Sequence, residues 1–200
     1  MTKPFKVLMT CGFFEPGYRA GGPIRSVGRI VDTIPEDIDL SVMTRDRDFG
    51  SSQPYPGLSG TWVKRGRADV FYLDVRSLSQ WWQLLKKIRA NPVDLLYVNS
   101  MWALTFSVIP VVAARLGLVR ASKILMAPRG ELSPGALSLK ARKKQLFLKV
   151  WGTLLRSMAV TWHATAELEA KEIRAVFPWA KVHIVSNQTA LPDEPFTPTV

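Results

Sequence analysis

Two hundred residues, 47% of them apolar, suffice to bury a core as one domain, and 27 Lys and Arg against 16 Asp and Glu give a formal net charge of +11. The lone cysteine, Cys11, excludes an internal disulfide framework and fits a reducing compartment. Met1 to Pro4 runs straight into a short apolar stretch, so no signal peptide is expected, and the longest apolar run, Met101 to Leu118, is broken by Pro110 and Arg115 and falls short of a membrane span.

The first element is a buried strand over Phe5 to Thr10. Gly21-Gly22-Pro23 then opens a helix with apolar residues at Ile24, Val27, Ile30 and Val31. Adjacent glycines let backbone approach a ligand, and a proline at the first helical position gives up only an amide that the helix cannot use. The remaining free amides suit an anion such as phosphate, with Arg25 in the first turn beside them. A plain turn that starts a helix is the competing reading of the same residues.

Leu40 to Thr44 reads as a second strand, Asp46 to Gly60 as a polar loop, and Trp62-Val63 and Val70 to Leu73 as one or two short strands. A helix follows over Leu78 to Ala90, with Trp81, Leu84, Leu85 and Ile88 on one face, then a strand over Asp94 to Val98. Trp102 to Leu116 is a buried helix, Ile124 to Ala127 a strand, and Ala136 to Met158 a long helix whose apolar stripe runs through Leu139, Leu146, Phe147, Val150, Trp151, Leu154 and Met158. Val160 to His163, Glu167 to Val176 and Val182 to Val185 complete the alternation as strand, helix and strand. Near-continuous apolar strands separated by helices give an α/β fold, a Rossmann-like, doubly wound and mainly parallel sheet with helices on both faces. With helices to cover every strand, the domain is expected to fold as a unit.

In such a sheet ligands bind outside the carboxyl ends of the strands. The residues there are Gly21-Gly22, Asn99-Ser100-Met101-Trp102, Pro128-Arg129-Gly130-Glu131, Ala164-Thr165-Ala166-Glu167 and Ser186-Asn187. Arg129 is a permanent cation with a planar donor fork suited to phosphate or carboxylate, or else a salt-bridge partner for a neighbouring loop. His163 reads as a hydrogen-bonded core group rather than a base, and Cys11 as a small core residue rather than a nucleophile.

The charge is uneven: from Arg115 to Arg156 ten basic residues face one acidic residue, Glu131. Lys140, Arg142, Lys143 and Lys144 cluster at the front of the long helix, a pattern that suits an anionic membrane surface or an acidic partner as well as a solvated face on a core-packing helix. No zinc-finger, aromatic RNA-binding or helix-turn-helix signature accompanies them, so no nucleic-acid partner is assigned.

The segments GYRAGGPIRSV, VNSMW, APRGELSPGALSLKARKKQLFLKVW and WHATAELEAKEIRAVFP, in this order, resemble the N-terminal domain of family-4 retaining glycosyltransferases of the GT-B architecture over nearly the whole chain. The resemblance implies transfer of a hexosyl-type sugar from a nucleotide-sugar co-substrate to a glycan or lipid-linked acceptor, in the cytoplasm or at the inner face of the membrane. It implies no metal and no other cofactor. Gly21 and Gly22 match the loop that approaches the donor phosphates and the acceptor, and Arg129 and Gly130 match the loop after the strand at Ile124 to Ala127. The family's second Rossmann-like domain carries most donor contacts, so residues 1–190 correspond to the N-terminal domain, the Pro-rich 191–200 to the start of a linker, and this chain alone is expected to be inactive.

Two departures stand out. Relatives place a histidine where this chain has Pro128-Arg129, and their Asn-Gly before the second domain is here Asn187-Gln188. Glu15, Glu131 and Glu167 sit in loops suited to a carboxylate nucleophile, but nothing in the spacing selects one, and no catalytic residue is assigned. A nicotinamide-dinucleotide domain would require G-x-G-x-x-G, which Gly12, Gly17, Gly21 and Gly22 do not form. A non-catalytic module for anionic membranes or polyanions would rest on the charge alone.

Overall fold

A computed structural model describes residues 3–138 and 141–187, with the side chains of 141–144 outside the description. Eight strands form one sheet in the order β3-β4-β2-β1-β5-β6-β7-β8: β1 Phe5–Thr10, β2 Ile38–Arg45, β3 Trp62–Arg65, β4 Ala68–Leu73, β5 Val93–Asn99, β6 Ala121–Ala127, β7 Thr161–Ala164 and β8 Lys181–Ile184. Neighbours run parallel except β3, which turns back on β4 as a hairpin edge with Trp62 opposite Phe71. The chain moves outward from β1 through β2 to β4, then returns to the other side of β1 and lays down β5 to β8. The switch therefore lies between β1 and β5, the crevice where doubly wound sheets hold ligands.

The helices are α1 Gly22–Thr33, α2 Leu78–Ala90, α3 Ile109–Arg115, α4 Pro134–Ser138, α5 Ala141–Ser157 and α6 Glu167–Val176. α1 starts on Pro23 and buries Ile24, Val27 and Val31. α2 starts on Ser77, whose hydroxyl accepts from the Gln80 amide, and buries Leu84 and Ile88. The buried helix expected over Trp102 to Leu116 is a π-helical turn, Leu104–Val108, that passes into the short α3. Pro110 has no amide to give to the ladder at that point, and the preceding turn widens.

Of the long basic helix the structure describes two pieces, α4 opening on Pro134 and α5. Its stripe is corrected. Phe147, Trp151, Leu154 and Met158 pack inward, Phe147 lying 5.2 Å from Trp102 and 5.8 Å from Trp151 between ring centres. Leu146 and Val150 instead point to solvent, 68% and 67% exposed. Leu139 and Lys140 lie outside the described residues, as do the side chains of Arg142, Lys143 and Lys144 and the linker expected at 191–200. Among the described residues no helix is long and apolar enough to cross a membrane.

The two faces of the sheet are covered unequally. Right-handed crossovers place a helix on one face when the chain moves one way along the sheet and on the opposite face when it moves the other way. Only α1 and the loop after β2 belong to the outward movement, so one core gathers α1 residues Val27 and Val31 with Val7, Met9, Leu40 and Val42. Helices α2, α3, α5 and α6 all fall on the other face, where Leu84, Val111, Trp151, Leu155 and Ile173 pack on Leu8, Leu96, Met126 and Trp162. Past α1, the first face of β5 to β8 carries no helix among the described residues. The expectation that helices cover every strand is thus met on one face only. A groove of about 710 Å³ runs there, lined by Val7, Ile30, Leu95, Tyr97, Leu125 and His163 among others.

Candidate functional site

The loop after β1 is held by buried polar groups. Asp48 accepts from the backbone amides of Tyr18 (3.1 Å), Arg19 (3.3 Å) and Phe49 (2.7 Å), and Tyr72 donates its hydroxyl to the Glu15 carbonyl at 2.6 Å. Burial alone would raise the Asp48 pKa, but the amide bonds outweigh it and hold the carboxyl below its ordinary value. The loop ends at Gly21, whose φ of 68° and ψ of −124° favour glycine. No atom lies within 4 Å of where a Cβ would stand on Gly21 or Gly22.

The helix start is narrower than expected as a donor. The Ile24 amide (3.1 Å) and the Arg25 amide (3.5 Å) both turn onto the Gly21 carbonyl, and Pro23 has none, so among the described residues the Gly22 amide is the one at the helix start without an acceptor. Arg25 itself is exposed on α1 and lines neither cavity at the strand ends.

Arg129 organises the other side. Its φ of 56° swings the side chain back across the strand ends. Nε and Nη2 donate to Asn99 Oδ1 at 3.1 and 2.8 Å, Nη2 also to the Tyr97 hydroxyl at 2.9 Å, and Nη1 to Asn187 Oδ1 at 3.0 Å. Of the five guanidinium hydrogens, one on Nη1 is left for a ligand. The Tyr97 oxygen lies 2.6 Å from His163 Nδ1, and His163 Nε2 lies 2.8 Å from the Val185 carbonyl. A carbonyl can only accept, so Nε2 carries the proton and Nδ1 accepts from Tyr97. Burial, with the Arg129 charge, lowers the His163 pKa and keeps that tautomer neutral. His163 is part of this relay rather than an exposed base.

Arg129→Ala is expected to cost about 1–3 kcal/mol of folding free energy, because it leaves the buried Asn99 Oδ1 without its donor. Lysine, with a point charge in place of a fork, should recover only part. A denaturant melt indistinguishable from that of the parent would show that Asn99 finds another partner at no cost.

Next to Arg129, the Gly130 amide donates to Glu169 Oε1 at 2.8 Å, while Oε2 accepts from the Thr165 amide and hydroxyl, both at 2.7 Å. Glu169 was not among the sequence candidates. Its signal is the Thr165 to Glu169 spacing at a helix start, where a first-turn glutamate reaches back to the incoming backbone. Glu131 accepts from Ser100 Oγ at 2.9 Å and from the Met101 amide, and Glu167 is exposed.

Two cavities flank Arg129. One, of about 500 Å³, is lined by Phe13, Arg19, Phe49, Asn99, Trp102 and Glu131, with Cys11 at its floor. Burial pushes the Cys11 thiol up to about 12, which leaves it protonated and inert. The other, of about 420 Å³, is lined by Gly22, Ser26, Gly130, Thr165, Glu169 and Asn187. Gly22, Asn99, Arg129 and Gly130 therefore converge on one pair of cavities. Among the described residues no group of three His, Cys, Asp or Glu side chains stands ready to hold a metal ion. The arrangement offers one backbone amide, one guanidinium hydrogen and a mixed apolar and polar cavity, which suits a phosphorylated ligand beside a neutral one.

No protein-family profile matches this sequence, and no curated protein does. Among solved structures, the fold is similar to that of HepE from Anabaena, crystallised in complex with UDP and glucose, with a TM-score of 0.52 over 92% of this chain. The identity is 14%, so the likeness is one of fold, and this chain spans 45% of that structure's length.

Proposed function

We propose that this chain is the acceptor-side half of a glycosyltransferase of GT-B architecture that moves a sugar from a nucleotide-sugar donor to a glycan or lipid-linked acceptor. The observation that carries the reading is the cavity of about 420 Å³ at the strand ends, which Gly22 and Arg129 both line. Donors aimed at a leaving diphosphate stabilise the charge that grows on it. The sequence resemblance and the UDP and glucose bound by the structural neighbour support the same reading. A retaining, family-4 mechanism is what the resemblance implies, and the catalytic carboxylate stays unassigned.

With most donor contacts assigned to a further domain, residues 1–200 should bind a nucleotide sugar only in the millimolar range or weaker, about −4 kcal/mol or less favourable, and should not transfer sugar. Calorimetry with a donor panel beside a transfer assay checks both. Micromolar binding or turnover by this chain would place the donor site within it, and no transfer by a longer chain with any donor would sink the reading.

A second function, apposition to an anionic membrane, has one observation in its favour: Leu146 and Val150 stand exposed on α5, in the most basic stretch of the sequence. Each basic residue near such a surface contributes about 1 kcal/mol, fading with salt. The chain should float with anionic but not neutral vesicles at low ionic strength, and changing Lys140, Arg142, Lys143 and Lys144 to glutamine should abolish this. Equal flotation of the quadruple variant would refute it.

A further inference from the structure

The loop after β2 is more firmly built than a connection needs. Asp46, wholly buried, accepts from Arg47 Nε at 2.8 Å and Ser59 Oγ at 2.7 Å, and its carbonyl takes the Tyr55 amide at 2.7 Å. Asp48, two residues on, ties the same loop to Tyr18 and Arg19 of the glycine loop. The residue these buried anchors leave in water is an aromatic one. Phe49 is 59% exposed, stands at the mouth of the 500 Å³ cavity, and meets Phe13 edge to face, with ring centres 5.6 Å apart at 83°. Arg45 lies over the Phe13 ring, 5.5 Å from its centre. A rigid loop that holds a phenylalanine out of the core forgoes the burial that ring would otherwise gain.

We infer that Phe13 and Phe49 form a corner that takes a pyranose ring of the acceptor, with Asp48 as the residue that positions it; the inference rests on the transferase reading. The shape favours a sugar over a flat base, since two perpendicular rings make no parallel slot for stacking. A puckered pyranose presents C–H groups on a face and along an edge, and so fills both walls of the corner. The far wall favours a sugar over a hydrocarbon chain. There Asn99, Ser100, Arg129 and Glu131 stand among the apolar Val27, Trp102 and Ala103, a mixed lining that offers hydrogen-bonding groups to hydroxyls and none of use to a hydrocarbon chain.

The test is a resonance-by-resonance titration of this chain with methyl glucopyranoside and galactopyranoside, their disaccharides, decyl phosphate and UDP. Saccharides should move the ring signals of Phe49 and Phe13 with millimolar dissociation constants. Phe49→Ala should weaken that binding about tenfold without changing the melting temperature, Phe49→Trp should keep it, and Asp48→Asn should fall between. Three results overturn the inference: saccharides that leave both rings unmoved, undiminished saccharide binding by Phe49→Ala, or a response of the corner to decyl phosphate or UDP alone. UDP that shifts Gly22 and Arg129 while saccharides leave the corner silent would remove the corner and keep the transferase reading. Silence toward every probe would remove the corner, and transfer by a longer chain would then decide the transferase reading.

Discussion

Glu169→Ala is expected to destabilise the domain by about 3 kcal/mol, more than any other single change at the strand ends. The carboxylate is nearly wholly buried and accepts three hydrogen bonds, two of them from the backbone amides of Gly130 and Thr165. Its loss removes charge-assisted bonds and leaves those amides without their acceptor. Urea denaturation of the variant measures the effect, and a change under about 0.5 kcal/mol, the ordinary scatter of surface substitutions, would count against it.

The same group sets part of the pH response. Burial alone would raise the Glu169 pKa, but the bonds from Thr165 and Gly130 outweigh it, so the folded value lies below the ordinary 4.5. A depressed carboxyl contributes stability that is complete above the unfolded value and lost as pH falls through the folded one. The acid limb of the stability curve should therefore flatten in Glu169→Ala. His163 adds an earlier step of the same sign, because burial keeps it neutral while the unfolded imidazole takes up a proton below about 6.5.

The second large effect is expected at the glycine pair, where neighbouring positions should behave differently. Gly22 is exposed, lines the 420 Å³ cavity and has open space where a Cβ would stand, so Gly22→Val should leave the melt unchanged. In a longer chain that carries the proposed donor domain, turnover should fall on the order of 100-fold, as when one donor to a developing anion is blocked. Gly21→Val forces a branched residue to a φ of 68° and should cost about 1–3 kcal/mol of stability as well. Full turnover in a folded Gly22→Val protein would reduce the loop to a turn. A loss of stability there equal to that of Gly21→Val would make its role structural.

Helices α2 and α6 were legible from end to end, because their apolar period is regular and each is bounded by turn residues. The strands were legible as short apolar runs, and with them the polar strand ends that hold Asn99, Arg129 and Gly130. Periodicity could not tell which apolar flank of α5 turns inward: Leu155 is buried and Leu146 is not, although both suit a helical stripe. Asp48 escaped because its work is done on the Tyr18-Arg19 backbone about 30 residues away, and Glu169, despite its local Thr165 spacing, because its bond to the Gly130 amide spans 39 residues. The bare face of β5 to β8 depends on strand order, which no local pattern encodes.

Among the described residues, that bare face leaves the two halves of the sheet unequally clad. Strands clad on both sides open only with the whole protein, whereas strands clad on one side yield at lower free energy. β1 and β2, and with them the glycine loop, are expected to form the stiffer half, and β6 to β8, whose ends carry Arg129, Thr165 and Asn187, the more compliant one. The cleft at the strand ends is thus a seam between two materials. The Arg129 bond to Asn99 ties the compliant wall to the strand beside β1, and a ligand lodged in the seam would feel the give of one wall against the other.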